Sequence, residues 1–211
     1  MDFGIAKKIR LRERVLLILF TSALSFNLTA QSSIDDEQIT FVRLTAEQYR
    51  NSIRDIFGES IEITGDAIAA GVREAGLIAV GGRRLTLSSS EVESYEVLAL
   101  DVASQVLDPS RRATLMPCEP RNEGAFDGDC AREFISTVGL HLFRRPLSED
   151  EIRNYGAMAS AATDSLGGFY IGLQASLVGM MVSPDFLFRI ERSVPSPETP
   201  GVRHLDAWSR A

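Results

Sequence analysis

Apolar residues recur at helical spacing in four stretches of the chain. Each stretch places them on one face of a helix, and so predicts an amphipathic helix that packs on a core. A fifth stretch, from Gly167 to Val182, is apolar almost all round and predicts a helix buried on most sides. We therefore expect a mainly α fold, a helical bundle. The four amphipathic sets are Tyr49, Ile53, Ile56 and Phe57; Val92, Tyr95, Ala99, Val102 and Val106; Ala131, Phe134, Ile135, Val138 and Leu142; and Ile152, Tyr155, Ala159 and Ala162.

Capping signals predict where these helices begin and end. Three starts pair a Ser or Thr with a Glu or Gln three residues later, which is the capping-box pattern. Gly58 predicts one helix end, and Pro109 and Pro146 follow two others. Two shorter helices are expected, one after Ser183 and one beginning near His204. The three capping pairs are Thr45 with Gln48, Ser88 with Glu91, and Ser148 with Glu151.

Three stretches do not follow the helical pattern. The Gly-rich segment between Gly58 and Ser88 predicts a small hairpin around Gly81-Gly82, or a loop excursion, and it has no phosphate-binding glycine spacing. Residues 109–129 predict an irregular linker, and residues 193–203, with three prolines, a second one. In the apolar stretch from Gly167 to Val182, by contrast, Gly168, Gly172 and Ser176 recur every fourth position and predict close contact between two helices.

The first thirty residues have the layout of a secretory signal peptide. Five basic residues precede an apolar run from Val15 to Phe20, which continues among small residues to about Ala30. The alternative is an uncleaved membrane anchor, but polar residues interrupt the run before it reaches the length of a span. We therefore expect an exported chain, periplasmic or extracellular, with no membrane span after removal of residues 1–30.

Composition and charge narrow the class of partner. The hydrophobic fraction is 45%, which is ordinary for a globular protein, and the formal net charge is −7. Residues 1–30 carry five basic and two acidic side chains, so their removal leaves a still more acidic chain. Nucleic acid is a poor candidate because its binding requires a basic surface. The expected partners are other proteins or further domains on the C-terminal side.

The two cysteines, Cys118 and Cys130, predict a disulfide in an exported chain. A disulfide that closes the loop between them would stabilise the fold by about 3 kcal/mol. The alternative is a pair of free buried thiols. His141 and His204 are the only histidines, and there is no C-x-x-C or C-x-x-C-H motif. We expect no metal and no cofactor in this chain.

The adjacent Arg144 and Arg145 at a helix end are the most conspicuous polar feature. They could clamp a carboxylate or sulfate, but the favoured interpretation is structural: they complement the helix dipole and pair with acidic residues just beyond Pro146. Arg54 beside Asp55, and Arg189 with Glu191, could also bind an anion, but we expect them to tie helices together through partly buried ion pairs. The acidic residues beyond Pro146 are Glu149, Asp150 and Glu151.

Other polar residues offer weaker candidates for a site. His141 has no neighbouring metal ligand and is expected to be structural. Asp127 and Asp129 supply fewer oxygen ligands than calcium requires. No Ser-His-Asp set or carboxylate pair can be assigned, so we expect no catalytic residue.

Three segments resemble consecutive domains of large exported bacterial proteins, described as planctomycete-type cytochrome c proteins. FVRLTAEQYRNSIRDIFG, at 41–58, resembles the opening of domain of unknown function fifteen-eighty-seven. Residues 130–191 resemble domain fifteen-ninety-five, through CAREFI, FRRPLS and SPDFLFR. Arg203-His204-Leu205-Asp206 with Trp208 resembles the start of domain fifteen-ninety-two. The resemblance implies domains at 38–108 and 130–192 and a truncated third at 204–211, so that the chain is an N-terminal fragment.

These observations favour a non-catalytic scaffold or docking module within a larger exported protein. The alternative is a part of an exported redox, haem-linked or polysaccharide-processing enzyme system whose chemistry lies outside this chain. The haem-bearing relatives implied by the resemblance suggest it.

Overall fold

The computed structural model describes residues 38–63 and 87–209. The predicted signal peptide and the hairpin around Gly81-Gly82 lie outside these residues. The described part contains seven helices and a three-stranded sheet, so the mainly α class is confirmed. The elements are β1 (Gln38–Arg43), α1 (Ala46–Phe57), α2 (Ser89–Val106), α3 (Pro109–Leu115), α4 (Gly128–Phe143), α5 (Glu149–Leu166), α6 (Phe169–Met181), α7 (Pro184–Leu187), β2 (Phe188–Pro195) and β3 (Arg203–Leu205).

All three predicted capping boxes are present. The hydroxyl groups of Thr45, Ser88 and Ser148 each accept a hydrogen bond from the backbone N–H three residues on. The Gln or Glu at that later position accepts a hydrogen bond from the cap backbone in return. Two otherwise unpaired backbone donors are thus satisfied at each helix start, which fixes where α1, α2 and α5 begin. Gly58 ends α1 with φ 93°, a conformation that favours glycine.

Helix α6 lies at the centre of the core. It packs against α5, α2, α4 and α7, and five of its large apolar side chains are fully buried. Its closest approach is to α5, where a Cβ added at Gly172 would overlap Thr163 Oγ1 and the carbonyl oxygen of Ala159. The predicted close helix contact is therefore confirmed at Gly172. The five buried side chains are Phe169, Leu173, Leu177, Met180 and Met181.

The sheet joins the two ends of the described chain. Its order is β1-β2-β3, with antiparallel pairing throughout, and Phe41 lies opposite Ile190. Strand β2 follows directly from α7, and the Leu44 amide donates to the Leu187 carbonyl at 2.9 Å. Residues 38–63 therefore share one core with the segment that carries α4 to α7.

The prediction of a helix that begins near His204 is wrong. His204 lies in β3 opposite Val194, where its backbone pairs with β2, and residues 207–209 form only a turn. The Asp206 carboxylate does accept a hydrogen bond from the Ser209 amide at 2.7 Å, but no helix follows within the described residues. The proline-rich stretch, likewise, contains the end of β2 and the turn of a hairpin.

Residues 109–115 form α3, although the sequence suggested an irregular linker there. Asp108 caps this helix by accepting from the Ser110 amide, and Pro109 occupies the first turn. Proline is favoured at that position because its missing N–H would have no helical partner. Pro109 thus marks both the end of α2 and the beginning of α3. Within the described residues, no helix has both the length and the apolar character needed to cross a membrane.

Replacing Gly172 with Ala should destabilise the protein by about 1–3 kcal/mol, because the added methyl group overpacks the contact between α5 and α6. Chemical denaturation monitored by circular dichroism measures this loss. Gly156→Ala, also inside a helix but with nothing within 4 Å of the added Cβ, is the matched control. We expect it to raise the free energy of unfolding by about 0.5–1 kcal/mol. Equal effects of the two substitutions would contradict the close contact.

Candidate functional site

The predicted disulfide between Cys118 and Cys130 is present, with the two Cα atoms 5.6 Å apart. It ties the first turn of α4 to the segment that follows α3. Cys130 is buried against the core, whereas Cys118 is partly exposed. The disulfide therefore fastens the irregular connection between α3 and α4 at both ends.

The acidic loop before α4 is closed by an arginine. Arg121 Nε and Nη2 donate to the two carboxylate oxygens of Asp127 at 2.8 and 3.0 Å, and Nη2 also reaches Asp129 at 3.1 Å. Asp127 is buried and also caps α4 through the amides of Asp129 and Cys130. The hydrogen bonds from Arg121 hold the pKa of the Asp127 carboxyl far below its usual range. Both carboxylates thus have a structural partner in Arg121.

Arg145 joins three helices at one point. Its Nη1 and Nη2 donate to the two carboxylate oxygens of Glu151 on α5, at 3.0 and 2.7 Å. Its Nη2 also donates to Asp185 on α7 at 2.8 Å. These hydrogen bonds lower the pKa of Glu151 to about 2, with the contribution of Arg145 the largest. The pairing with Glu151 agrees with the structural interpretation of Arg145.

Arg144 behaves differently from its neighbour. It ends α4 in the left-handed conformation, with φ 57°, the only described non-glycine residue with a positive φ. Glycine is the usual residue there, and an L side chain in this conformation costs about 1–2 kcal/mol. The half-buried guanidinium makes one long hydrogen bond, 3.5 Å from Nη2 to the Phe186 carbonyl, and no ion pair among the described residues. Burial, and then the like charge of Arg189, lower the pKa of Arg144.

The Arg144 side chain lines a cavity of about 90 Å³, here called the arginine cleft. The cleft lies between the end of α4, the start of α7, strand β2 and the turn at 206–209. Trp208 forms part of its wall and is 52% exposed. Polar side chains that line the cleft are Arg144, Arg145, Arg189, Arg192, Asp185, Asp206 and Ser209.

Two contacts hold the turn at 206–209 against β2. The Arg192 amide donates to Ser209 Oγ at 2.8 Å, and the Asp206 amide donates to the Arg192 carbonyl at 2.9 Å. On the same strand, Arg189 Nη2 lies 2.5 Å from Glu191 Oε1. Arg189 thus pairs with Glu191, the residue named with it from the sequence, but within one strand and not between helices.

The remaining sequence candidates lie elsewhere. Arg54 is exposed in the last turn of α1, and no acidic side chain in the described residues is within 4 Å of it. His141 is exposed on α4. No group of three or more described His, Cys, Asp or Glu residues is arranged to hold a metal ion. The structure therefore brings together Arg144, Arg145 and Arg189, and leaves Arg54 apart.

Asp185 and Trp208 are among the contributors to the cleft that sequence analysis missed. Asp185 follows Pro184 in a four-residue helix, and its partner Arg145 is forty residues away. Trp208 lies at the cleft because β3 pairs with β2. The proline-rich composition of residues 193–203 predicted a linker and gave no indication of this pairing. The usable signal was Ser183-Pro184-Asp185, since Ser183 caps α7 and so predicts where Asp185 lies.

Residues 130–191 match a family of proteins of unknown function, DUF1595. This segment is the one that resembles domain fifteen-ninety-five, and it runs from the buried cysteine of α4 to the middle of β2. It contains Arg144, Arg145, Asp185 and Arg189, whereas Trp208 lies beyond it. No curated protein and no solved structure matches the chain. The resemblances of residues 41–58 and 203–208 remain predictions.

Arg145→Gln should destabilise the protein at pH 7 by about 1–3 kcal/mol, because two partly buried carboxylates lose their charged donor. The difference from the unsubstituted protein should shrink as the pH falls from about 4.5 toward 2. In that window the depressed pKa of Glu151 favours the folded state at higher pH, and protonation of Glu151 removes the advantage. Unfolding at pH 7, 4 and 3 measures both effects.

The matched control for this prediction is Arg132→Gln. Arg132 pairs with Glu149 at 2.6 Å, but the two side chains are 50% and 68% exposed. Exposed pairs contribute about 0–1 kcal/mol, so this change should cost little at any pH. If Arg132→Gln were as costly as Arg145→Gln, the junction at Arg145 would have no special structural role.

Proposed function

We propose that the chain is an exported, non-catalytic helical module that docks onto another protein, or onto a further domain, through the arginine cleft. One observation carries this role: a half-exposed Trp208 lies beside several arginines in a formed cavity. Tryptophan and arginine are enriched among the residues that contribute most to binding at protein interfaces. Their combination is the best candidate for a contact surface among the described residues.

The remaining conspicuous polar groups support a structural role for the rest of the module. Arg145 is engaged with Glu151 and Asp185, and Arg121 with Asp127. These contacts hold helices and loops in place. The cleft beside Arg145 is therefore built on a firmly held junction, which suits a preformed docking surface.

Export is supported by two features of the chain. The basic and then apolar N-terminal segment resembles a secretory signal, and a disulfide joins Cys118 to Cys130. Disulfides form and persist mainly in oxidising compartments. We infer a periplasmic or extracellular location.

The export proposal predicts that Cys118 and Cys130 form a disulfide in the native cells. The protein should be recovered from those cells with its free thiols trapped immediately. Mass analysis without reduction measures the linkage. Reduction should lower the free energy of unfolding by about 3 kcal/mol, because the unfolded chain regains the freedom of the closed loop. Removal of residues 1–30 by genetic deletion is the control and should leave both thiols reduced in the cytoplasm. Labelling of both thiols in the complete protein would contradict export.

The docking proposal predicts a position-specific crosslink. A photoreactive phenylalanine analogue at Trp208, introduced in the native cells, should form an adduct with one defined partner or downstream domain, identified by peptide mass. The matched control is the same analogue at Leu166, which is 66% exposed at the end of α5 and does not line the cleft. Equal adducts at both positions, or none at Trp208, would count against the cleft as the docking surface.

A further inference from the structure

We propose that Arg144 is the anchor of a binding site for a single carboxylate group inside the arginine cleft. The site lies on the surface proposed above for docking, so the inference rests on that function and specifies the chemistry of its ligand. Four features of the cleft support it: the conformation of Arg144, its missing partners, the size of the cavity and the balance of charge.

The conformation of Arg144 requires an explanation. Its φ of 57° lies in the region that glycine adopts most readily, yet the position carries a long charged side chain. Residues held in such conformations cluster at ligand-binding sites, where the surrounding structure maintains them. The left-handed turn directs the guanidinium into the cleft, beside the main chain of Phe186. Glycine would be favoured if this position only had to end a helix, so a ligand-binding role explains why it carries arginine.

The hydrogen-bonding capacity of Arg144 is largely unused. A guanidinium has five N–H donors, and the single bond to the Phe186 carbonyl is 3.5 Å long. The Phe186 ring centroid lies 5.7 Å from the guanidinium carbon, which adds a weak cation–π contact. The remaining donors line the cleft and are available to an acceptor that enters it.

The cavity admits only a small group. Its volume of about 90 Å³ has room for a few water molecules. A carboxylate head fits this space and matches the planar fork of a guanidinium through two parallel hydrogen bonds. The rest of the ligand must lie outside, against the exposed face of Trp208.

The charges around the cleft favour a ligand with one negative charge over a ligand with two. Arg145 is shared by Glu151 and Asp185, and Arg189 pairs with Glu191. The hydrogen bonds from Ser209, and to a smaller extent the charge of Arg192, lower the pKa of the Asp206 carboxyl. Arg144, in contrast, forms no ion pair with a carboxylate of the described residues. The four arginines of the cleft are matched by four carboxylates, those of Glu151, Asp185, Glu191 and Asp206, so a monoanion leaves one uncompensated negative charge and a dianionic sulfate or phosphate leaves two.

The carboxylate can come from a small organic acid or from an acidic side chain of a docked protein. The complete chain should therefore be titrated with benzoate, acetate and the capped amino acid N-acetylglutamate amide. Sulfate, phosphate and chloride are the comparison anions, all at matched ionic strength. Heat release and the arginine Nε–Hε resonances of nitrogen-15-labelled protein report binding, and the resonances need no variant to be informative.

We expect saturable binding of the carboxylates, with a shift of the Arg144 resonance. In Arg144→Gln, which keeps much of the side-chain stem but removes the charge, affinity should fall at least about tenfold. Arg144→Lys keeps the positive charge but lacks the paired N–H donors of the guanidinium, so this variant should bind carboxylates with intermediate affinity. Arg54→Gln, at an exposed arginine on α1, is the matched control and should bind as the unsubstituted protein does. Circular dichroism checks that each variant is folded.

Several results would overturn the carboxylate site. They are the absence of a carboxylate-dependent shift at Arg144, an unchanged affinity in folded Arg144→Gln, or tighter binding of sulfate or phosphate than of acetate. Stronger binding of benzoate would support a small aromatic acid held against Trp208, and equal or stronger binding of N-acetylglutamate amide would support a protein side chain. The crosslink at Trp208 is a separate measurement. A crosslink without carboxylate binding would refute this site alone, and binding without a crosslink would refute only docking.

Discussion

The sharing of one guanidinium by two carboxylates is the interaction on which the candidate site depends. Arg145 follows directly after the last residue of the α4 cap, Glu151 lies in the first turn of α5, and Asp185 lies on α7. A single charged fork therefore fixes the relative positions of three helix ends. Because the cost of burying these charges is offset only when each hydrogen bond is made, the junction has one preferred geometry. The orientation of Arg144, the preceding residue, is set by the same geometry.

The junction is connected to the core through aromatic rings. Phe186 is fully buried, and its ring centroid lies 5.1 Å from that of Tyr49 on α1. Tyr49 in turn lies 5.4 Å from Tyr95 on α2. The N-terminal helices therefore support the segment that carries the Arg144 contact, although they are distant from it in sequence. Such packing supplies the rigidity that a preformed site requires.

Local signals in the sequence predicted much of the helical fold. The caps at Thr45, Ser88 and Ser148 depend on residues three positions apart, and sequence displays such relations directly. Gly172 was also predictable, because small residues at every fourth position indicate where two helices approach closely. The disulfide followed from there being only two cysteines in a chain that the sequence predicts to be exported.

Interactions between distant residues were not predictable in the same way. Strand β1 is recognisable only through its pairing with β2, about 150 residues later along the chain. His204 carried a local helix-start pattern, and pairing of its backbone with β2 prevailed over that preference. For the cleft, sequence identified the two adjacent arginines but assigned them one shared role. Only tertiary contacts separate Arg145, which is fully engaged, from Arg144, which is not.

The small sheet explains why the candidate site extends beyond the family segment. Residues 130–191 supply the arginine junction, but the wall that contains Asp206 and Trp208 comes from the chain after β3. Pairing of β3 with β2 brings that wall to the end of α4. A segment restricted to 130–191 would keep Arg144 and lose one side of the cavity. In the proposed site, residues 130–191 provide Arg144 and Arg145, and the residues after β3 provide Asp206 and Trp208, so both parts of the sequence would determine which carboxylate ligand binds.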